Sequence, residues 1–188
     1  MPVGVIDVGS NTTRLLVAAV ERGEVVPVDK QKVRLSLGEE IELYGGVSDV
    51  HVKAAADAVR KFAKAARRHG VESLDVFLTA PGRQSANAAE LVAALTRAAG
   101  VPVRVLSTEE EGRLAYGGAV ATAPIVLPRR IAVCDVGGAS TEIAVGSPRS
   151  APDWLESVDL GSVRLTTRVT SIDEARAETA AAFAHVSP

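Results

Sequence analysis

The chain has 188 residues, of which 47% are hydrophobic and 23% charged, and these values exclude an intrinsically disordered or collagen-like protein. Lysine and arginine together number 21 and aspartate and glutamate 23, so the net charge of −2 gives no overall reason to expect a nucleic-acid or membrane partner. The chain has a single cysteine, and its histidines lack metal-ligand spacing. It shows no secretion-signal pattern, and its apolar runs are much shorter than the roughly 20 residues of a membrane span. We therefore expect a cytoplasmic enzyme or binding protein.

The first part of the chain predicts strands and helices that alternate after an antiparallel start. Strands are predicted over residues 3–8, 12–20, 25–35, 74–78 and 103–106, and helices over residues 49–69, 88–99 and 108–121. The longest helix has one apolar face and ends with Arg67, Arg68, His69 and Gly70, which suit a helix C-terminus. This order of elements predicts a mixed sheet covered by helices.

The last part of the chain begins in the same way as the first. Strands are predicted over residues 131–136, 141–145 and 154–160, and Ser171 with Glu174 fits a capping box that opens another helix. Two strands and two helices predicted in the first part of the chain have no counterpart in the last part. We therefore expect a complete first domain over residues 1–124 and the N-terminal part of a second, truncated domain over residues 125–188.

Two short segments of the chain resemble each other closely. Residues 6–15 read IDVGSNTTRL and residues 134–143 read CDVGGASTEI, so Asp7 and Asp135 occupy corresponding positions. In each segment, two apolar runs flank a bend rich in small residues, which predicts a β-hairpin. A repeat on this scale predicts a duplicated fold.

Both bends are suited to bind phosphate groups. Glycine-rich bends expose successive backbone N–H groups, and small side chains let phosphate oxygens approach. Because an aspartate beside each bend would repel a bare phosphate, we expect a bridging Mg²⁺ held by Asp135 and Glu142, with Asp7 contributing from the first bend. We expect the two bends to face each other across a cleft. Purely structural roles are the alternative, since Asp-Val-Gly is also a common turn and Ser140 and Thr141 also suit a hairpin.

Further candidate residues lie outside the bends. Glu111 lies in an acidic helix start, where both Ser107 with Glu110 and Thr108 with Glu111 fit a capping box; if Glu110 serves as the cap, Glu111 is available as a general base. Arg83 follows a strand in a Pro-Gly loop, where a guanidinium either binds phosphate or is solvated.

Two other features have mainly structural interpretations. Cys134 is expected to be a small core residue rather than a nucleophile. The basic cluster on the longest helix is expected to be a solvated face, with contact to a polyanion as the alternative; it comprises Lys61, Lys64, Arg67 and Arg68.

Five segments together resemble the exopolyphosphatase and guanosine pentaphosphate phosphohydrolase family, whose members have the actin-like ATPase (ribonuclease H-like) fold. They are residues 7–11 (DVGSN), residues 79–87 with Arg83, residues 107–119 (STEEEGRLAYGGA), residues 135–142 (DVGGASTE) and residues 160–165 (LGSVRL). Each segment alone is a weak signal, but their order and spacing are specific and cover nearly the whole chain. The resemblance implies an α/β fold with mixed sheets flanked by helices in duplicated domains.

The resemblance also implies an activity. Members of this family hydrolyse the terminal phosphate of inorganic polyphosphate or the 5′ phosphate of guanosine pentaphosphate. Glu111 matches the family's general base, and Asp135 and Glu142 match acidic positions associated with the metal and the catalytic water. The phosphate-binding positions of the family match Gly9, Ser10, Asn11, Arg83, Gly137, Gly138, Ala139 and Ser140.

This chain departs from the family pattern in several places, of which Ala139 and Gly112 are two. Ala139 stands where a third glycine is usual, which narrows the backbone conformations open to the second bend, and Gly112 replaces a typical alanine inside a helix. These departures motivate a second hypothesis, in which the chain binds polyphosphate or a guanosine alarmone without hydrolysing it. A third hypothesis is sugar or acetate kinase chemistry on the same fold. Exposed apolar surface on the partial second sheet predicts self-association, such as a homodimer, or poor solubility.

Overall fold

The structure is a computed structural model that describes residues 1–187. The strands are β1 (Val3–Val8), β2 (Thr12–Glu21), β3 (Glu24–Arg34), β4 (Leu74–Leu78), β5 (Val103–Val105), β6 (Ile131–Val136), β7 (Thr141–Gly146) and β8 (Trp154–Val158). The helices are α1 (Leu37–Tyr44), α2 (Asp49–Arg68), α3 (Ala80–Gln84), α4 (Ala88–Ala99), α5 (Thr108–Ala121), α6 (Ser162–Arg168) and α7 (Ile172–Phe183). They form two compact units, Met1–Leu106 and a second unit that begins at Ser107.

The first unit is built on a five-stranded sheet with the order β3-β2-β1-β4-β5. Strands β1, β2 and β3 form an antiparallel meander, whereas β4 and β5 join it in parallel. Alternate residues of the strands are buried, as in Ile6 and Val8 of β1, so one face of the sheet is apolar.

Helix α2 provides much of the core of the first unit. The hydroxyl of its N-cap, Ser48, accepts a hydrogen bond from the backbone N–H of His51, and this bond satisfies one of the donors left over at a helix start. Val59 and Phe62 lie on its buried face and belong to the same apolar cluster as Ile6, Val8 and Leu91 of α4. The amphipathic sequence of α2 stabilises the first unit by burying this apolar face in the core.

The second unit is built on a three-stranded antiparallel sheet with the order β6-β7-β8. Helix α5 packs against all three strands, with Gly112 and Tyr116 as its buried residues. Because residues directly opposite in paired strands project to the same face, the cross-strand partners Asp135, Glu142 and Ser157 form one row on this sheet.

Most of the predicted elements are confirmed, with ends that shift by one or two residues. Three short helices, α1, α3 and α6, were not predicted. The Pro-Gly segment after β4 was expected to be a loop, and this expectation is wrong because Pro81 lies in the first turn of α3, where its fixed φ is favourable.

The expectation that Cys134 is a core residue is also wrong. Its side chain is exposed. Asp135 lies in the row that includes the buried Glu142, and neighbouring residues of a strand project to opposite faces, so Cys134 lies on the other face of the sheet. Strand β6 is also an edge strand, and the side chain of Val136 is 63% exposed.

The antiparallel part of the first sheet and the whole of the second have the same order of strands, as the sequence repeat predicts. The domain ranges 1–124 and 125–188 stay a prediction. The two compact units divide the chain before α5, so that this helix belongs to the same unit as the second sheet. No helix within residues 1–187 is long and apolar enough to cross a bilayer.

Candidate functional site

The two glycine-rich bends have the same backbone geometry. In the first bend, the N–H of Gly9 donates to the carbonyl of Thr12 over 3.2 Å, and in the second the N–H of Gly137 donates to the carbonyl of Ser140 over 2.9 Å. A methyl group built on Gly9 would lie 3.2 Å from the Thr12 oxygen, and one built on Gly137 would lie 3.0 Å from the Ser140 oxygen. Both copies of the repeat therefore place glycine at a point where a side chain would crowd the turn.

A short helix that follows the third strand of each copy supports the corresponding bend. In the first unit, the N–H of Gly38 in α1 donates to the carbonyl of Ser10 over 2.7 Å. In the second unit, the N–H groups of Val163 and Arg164 in α6 both donate to the carbonyl of Gly138, over 2.8 and 3.1 Å. These bonds hold the backbone conformation of each bend in place.

Ala139 fits the second bend without strain. None of the residues with positive φ in the described chain lies in this bend, so the backbone there needs no glycine on conformational grounds. The side chain of Ala139 is buried. The narrowed backbone freedom expected from the missing third glycine therefore has no visible effect on the bend.

Gly161 is a site residue to which the sequence analysis assigned no role. A methyl group built on Gly161 would lie 2.5 Å from the carbonyl carbon of Gly138 and 2.6 Å from the nitrogen of Ala139. The backbone of the second bend thus packs directly against Gly161. The signal was present in the LGSVRL segment, which carried the family resemblance.

The buried carboxyl of Glu142 lies beside the second bend. Glu142 is only 3% exposed, and its Oε1 accepts a hydrogen bond of 2.9 Å from the hydroxyl of Ser157. Burial raises the pKa of Glu142, and the negative charges of Glu111 and Asp135 raise it further, against the opposing hydrogen bonds from Ser140 and Ser157. The structure therefore brings Glu111, Asp135 and Glu142 into one electrostatic cluster in the second unit.

This raised pKa predicts a pH-dependent stability. The folded chain holds the Glu142 proton to higher pH than the unfolded chain, so the contribution of Glu142 is fully present below the ordinary pKa of 4.5 and is lost as the pH rises through the folded-state pKa. We expect Glu142→Gln to raise the free energy of unfolding at neutral pH relative to the wild type, and the difference to disappear in acid. Urea unfolding across this pH range, with the exposed Glu72→Gln as control, measures the effect. A wild type that is more stable than Glu142→Gln at neutral pH would contradict it.

Helix α5 begins with a capping box that uses Glu110. The Ser107 hydroxyl accepts from the N–H of Glu110 over 3.1 Å, and the Glu110 carboxylate accepts from the N–H of Ser107 over 2.9 Å. Glu109 forms an ion pair with Arg113 at 2.8 Å. Glu110 thus forms the helix cap and Glu109 the surface ion pair. This agrees with the alternative in which Glu110, rather than Glu111, completes the capping box.

Gly112 lets α5 approach the second sheet closely. A methyl group built on Gly112 would lie 2.6 Å from Cδ1 of Leu155 in β8. The departure from alanine at this position therefore has a packing reason.

Alanine substitutions at two glycines of α5 should have opposite effects. Gly112→Ala forces a methyl group against Leu155 and should destabilise the chain by about 1–3 kcal/mol. Gly117→Ala meets nothing within 4 Å and should stabilise it by up to about 1 kcal/mol through helix propensity. Urea unfolding of both variants measures the difference. Stabilisation by both substitutions would show that the contact with Leu155 does not restrict the size of the side chain at position 112.

Arg83 and Asp7 belong to the first unit. Arg83 lies in α3, and its Nη1 donates to the carbonyl of Leu106 over 2.8 Å. Thr79, the N-cap of this helix, donates its N–H to the carbonyl of Val8 directly before the first bend, over 3.2 Å. Asp7 is half-buried in β1, opposite Arg14 of β2. The binding roles of Arg83, Asp7 and the two bends, and their convergence on one ligand, stay predictions.

The oxygen donors around Glu142 fit a magnesium ion that also binds phosphate. Within residues 1–187, no three His, Cys, Asp or Glu side chains are grouped so that they could hold a metal alone. Mg²⁺ commonly uses one or two carboxylates and completes its shell with substrate phosphates and water. The pair Asp135 and Glu142 meets that requirement, and a cation would offset the burial and the neighbouring negative charges that raise the pKa of Glu142.

Comparison with known proteins agrees with these features. The model of the Ppx/GppA phosphatase family matches residues 16–187. Exopolyphosphatase 1 of Mycobacterium tuberculosis is 31% identical over 174 residues, which are 88% of this chain and 48% of that protein. The chain therefore spans about half the length of the curated relatives it matches.

Solved structures show the same architecture. An exopolyphosphatase from Cytophaga hutchinsonii aligns with a TM-score of 0.86 at 24% identity, over 99% of this chain and 60% of that one. The Ppx/GppA family member from Aquifex aeolicus aligns with a TM-score of 0.78 at 26% identity, over 94% of this chain and 58% of that one. The fold is the actin-like ATPase fold, and the chain belongs to the Ppx/GppA phosphatase family.

Proposed function

We propose that the chain is the part of an exopolyphosphatase that contains the general base and the metal-binding acids, and that it releases terminal phosphate from inorganic polyphosphate. The observation that carries this proposal is the cluster of Glu111, Asp135 and Glu142 beside the second bend. Glu142 is buried, and burying a carboxylate close to two other negative charges is costly by itself. The cost has a reason if the cluster receives a cation and a reacting water.

In the proposed reaction, backbone N–H groups of the second bend bind the terminal phosphate. Glu111 orients a water molecule in line with the terminal phosphorus and accepts its proton as the new P–O bond forms. The bond to the bridging oxygen breaks, and the shortened chain leaves with the electron pair. A Mg²⁺ held by Asp135 and Glu142 would neutralise the charge that develops on the phosphate oxygens. Positioning and electrostatics provide most of the acceleration, as in phosphoryl transfer generally.

The presence of glycine rather than alanine at position 112 does not support the hypothesis that the chain binds polyphosphate without hydrolysing it. That residue is explained by its contact with Leu155, and it leaves Glu111 in place. The choice between polyphosphate and guanosine pentaphosphate is made by the experiment below, because both substrates present a terminal phosphoanhydride to the same cluster.

Phosphate release tests the proposal. The purified chain is incubated with inorganic polyphosphate or with guanosine pentaphosphate, each with Mg²⁺ and with a chelator. Mg²⁺-dependent release of inorganic phosphate from polyphosphate is the expected result. Release from guanosine pentaphosphate alone would transfer the proposal to that substrate. Binding of either substrate without release would favour a sensor, and an ADP-forming transfer from ATP to a sugar or acetate would favour a kinase.

A further inference from the structure

A basic groove lies along the exposed side of α2 in the first unit. It has a volume of about 480 Å³, and we call it the α2 groove; its lining is Gln31, Asp57, Arg60, Lys61, Lys64, Ala65 and Arg68. Four of these seven residues are cationic and only one is acidic. The groove is therefore strongly positive on a chain whose overall charge is −2.

The one acidic residue in the groove is already paired. Asp57 accepts from Arg60 and from Lys53, which lies one turn earlier on the same helix. Among residues 1–187, no carboxylate forms an ion pair with Lys61, Lys64 or Arg68. Three exposed cations therefore remain available to an external anion.

These three cations lie on one line of the helix surface. Lys61, Lys64 and Arg68 are separated by three and then four residues, which is the spacing of neighbours on one helix face. Like charges at this spacing destabilise a helix slightly, and a bound polyanion would reverse that effect. A row of charges suits an extended ligand with a regularly repeated negative charge better than a single small anion.

The chemistry of the groove favours a ligand without bases. Its lining contains no aromatic side chain, whereas proteins that bind single-stranded nucleic acids usually stack bases on aromatic rings. Asp29, the other nearby carboxylate, is held by Gln31 at 2.8 Å and by His69 at 3.3 Å. On the strength of the proposed function, we infer that the α2 groove binds a distal segment of an inorganic polyphosphate chain, away from the terminal phosphate that reacts.

The test is the affinity of the whole chain for long-chain inorganic polyphosphate. The variant Lys61→Gln/Lys64→Gln/Arg68→Gln should bind it about tenfold more weakly at low salt and show a shallower dependence of affinity on salt. The control variant Arg14→Gln/Lys30→Gln/Lys32→Gln removes the same charge from another cationic cluster, on β2 and β3. It should change the affinity less than about twofold. Circular dichroism confirms that both variants are folded.

Equal losses in the two variants, or no loss in either, would overturn the inference. A single-stranded oligonucleotide that competes with polyphosphate and is weakened by the same three substitutions would identify nucleic acid as the occupant and also overturn it. Failure of the proposed function has a different signature, which is polyphosphate binding by the wild type without Mg²⁺-dependent phosphate release. The α2 groove and the reaction are therefore tested separately.

Discussion

Glu111→Gln should lower the turnover number for phosphate release from polyphosphate by about 100-fold or more. Glutamine keeps the size and polarity of the side chain but cannot accept the proton of the attacking water. The affinity for polyphosphate should stay within about twofold, since the groups proposed to bind phosphate are unchanged. Steady-state phosphate release, together with equilibrium binding to polyphosphate, measures the two quantities separately.

Glu109→Gln is the matched control for this prediction. It removes a carboxylate from the same helix turn, but from the surface ion pair with Arg113. Such exposed pairs contribute at most about 1 kcal/mol to stability, so turnover should be nearly unchanged. Equal losses of turnover and affinity in Glu111→Gln would assign Glu111 a structural or binding role.

Gly161→Ala should weaken both the fold of the second unit and its affinity for phosphate chains. The added methyl group would lie 2.5 Å from the carbonyl carbon of Gly138, and backbone cannot move aside as a flexible side chain can. We expect a loss of about 1–3 kcal/mol in the free energy of unfolding, as for other overpacked sites. Urea unfolding and polyphosphate binding are the measurements.

Ser162→Ala separates crowding from the loss of a hydrogen bond at the same place. The Ser162 hydroxyl donates to the carbonyl of Gly137 over 3.1 Å, and its backbone N–H donates to the same oxygen over 2.9 Å. Only the hydroxyl is lost in the alanine variant, so the cost should stay near 1 kcal/mol. Gly161→Ala that is as stable as the wild type and binds polyphosphate equally well would show that the bend tolerates displacement.

Local sequence patterns predicted most of the fold because the main elements follow simple rules. The apolar face of α2 has regular helical spacing, and β1 and β6 are short apolar runs before a glycine-rich bend. The duplication predicted the shared order of strands in the two sheets. Helices α1, α3 and α6 have at most eight residues, which is too short for a clear periodic signal.

The candidate site was predicted less completely than the fold. The sequence paired Asp135 with Glu142 and identified Glu111 separately, and the register of β6 and β7 makes the first two cross-strand partners. The role of Gly161 depends on a contact with the bend some twenty residues earlier, and no local pattern reports such a contact. The exposure of Cys134 depends on which face of the second sheet α5 covers, which is likewise a tertiary property.

The exposed thiol on β6 has a practical consequence. Cys134 is the only cysteine of the chain, so a maleimide dye would attach at one defined atom without any engineering. Because successive residues of a strand project to opposite faces, the dye would be attached away from Asp135 while remaining next to it along the strand. The native chain thus offers a fluorescent reporter of ligand binding that leaves every proposed reactive group unmodified.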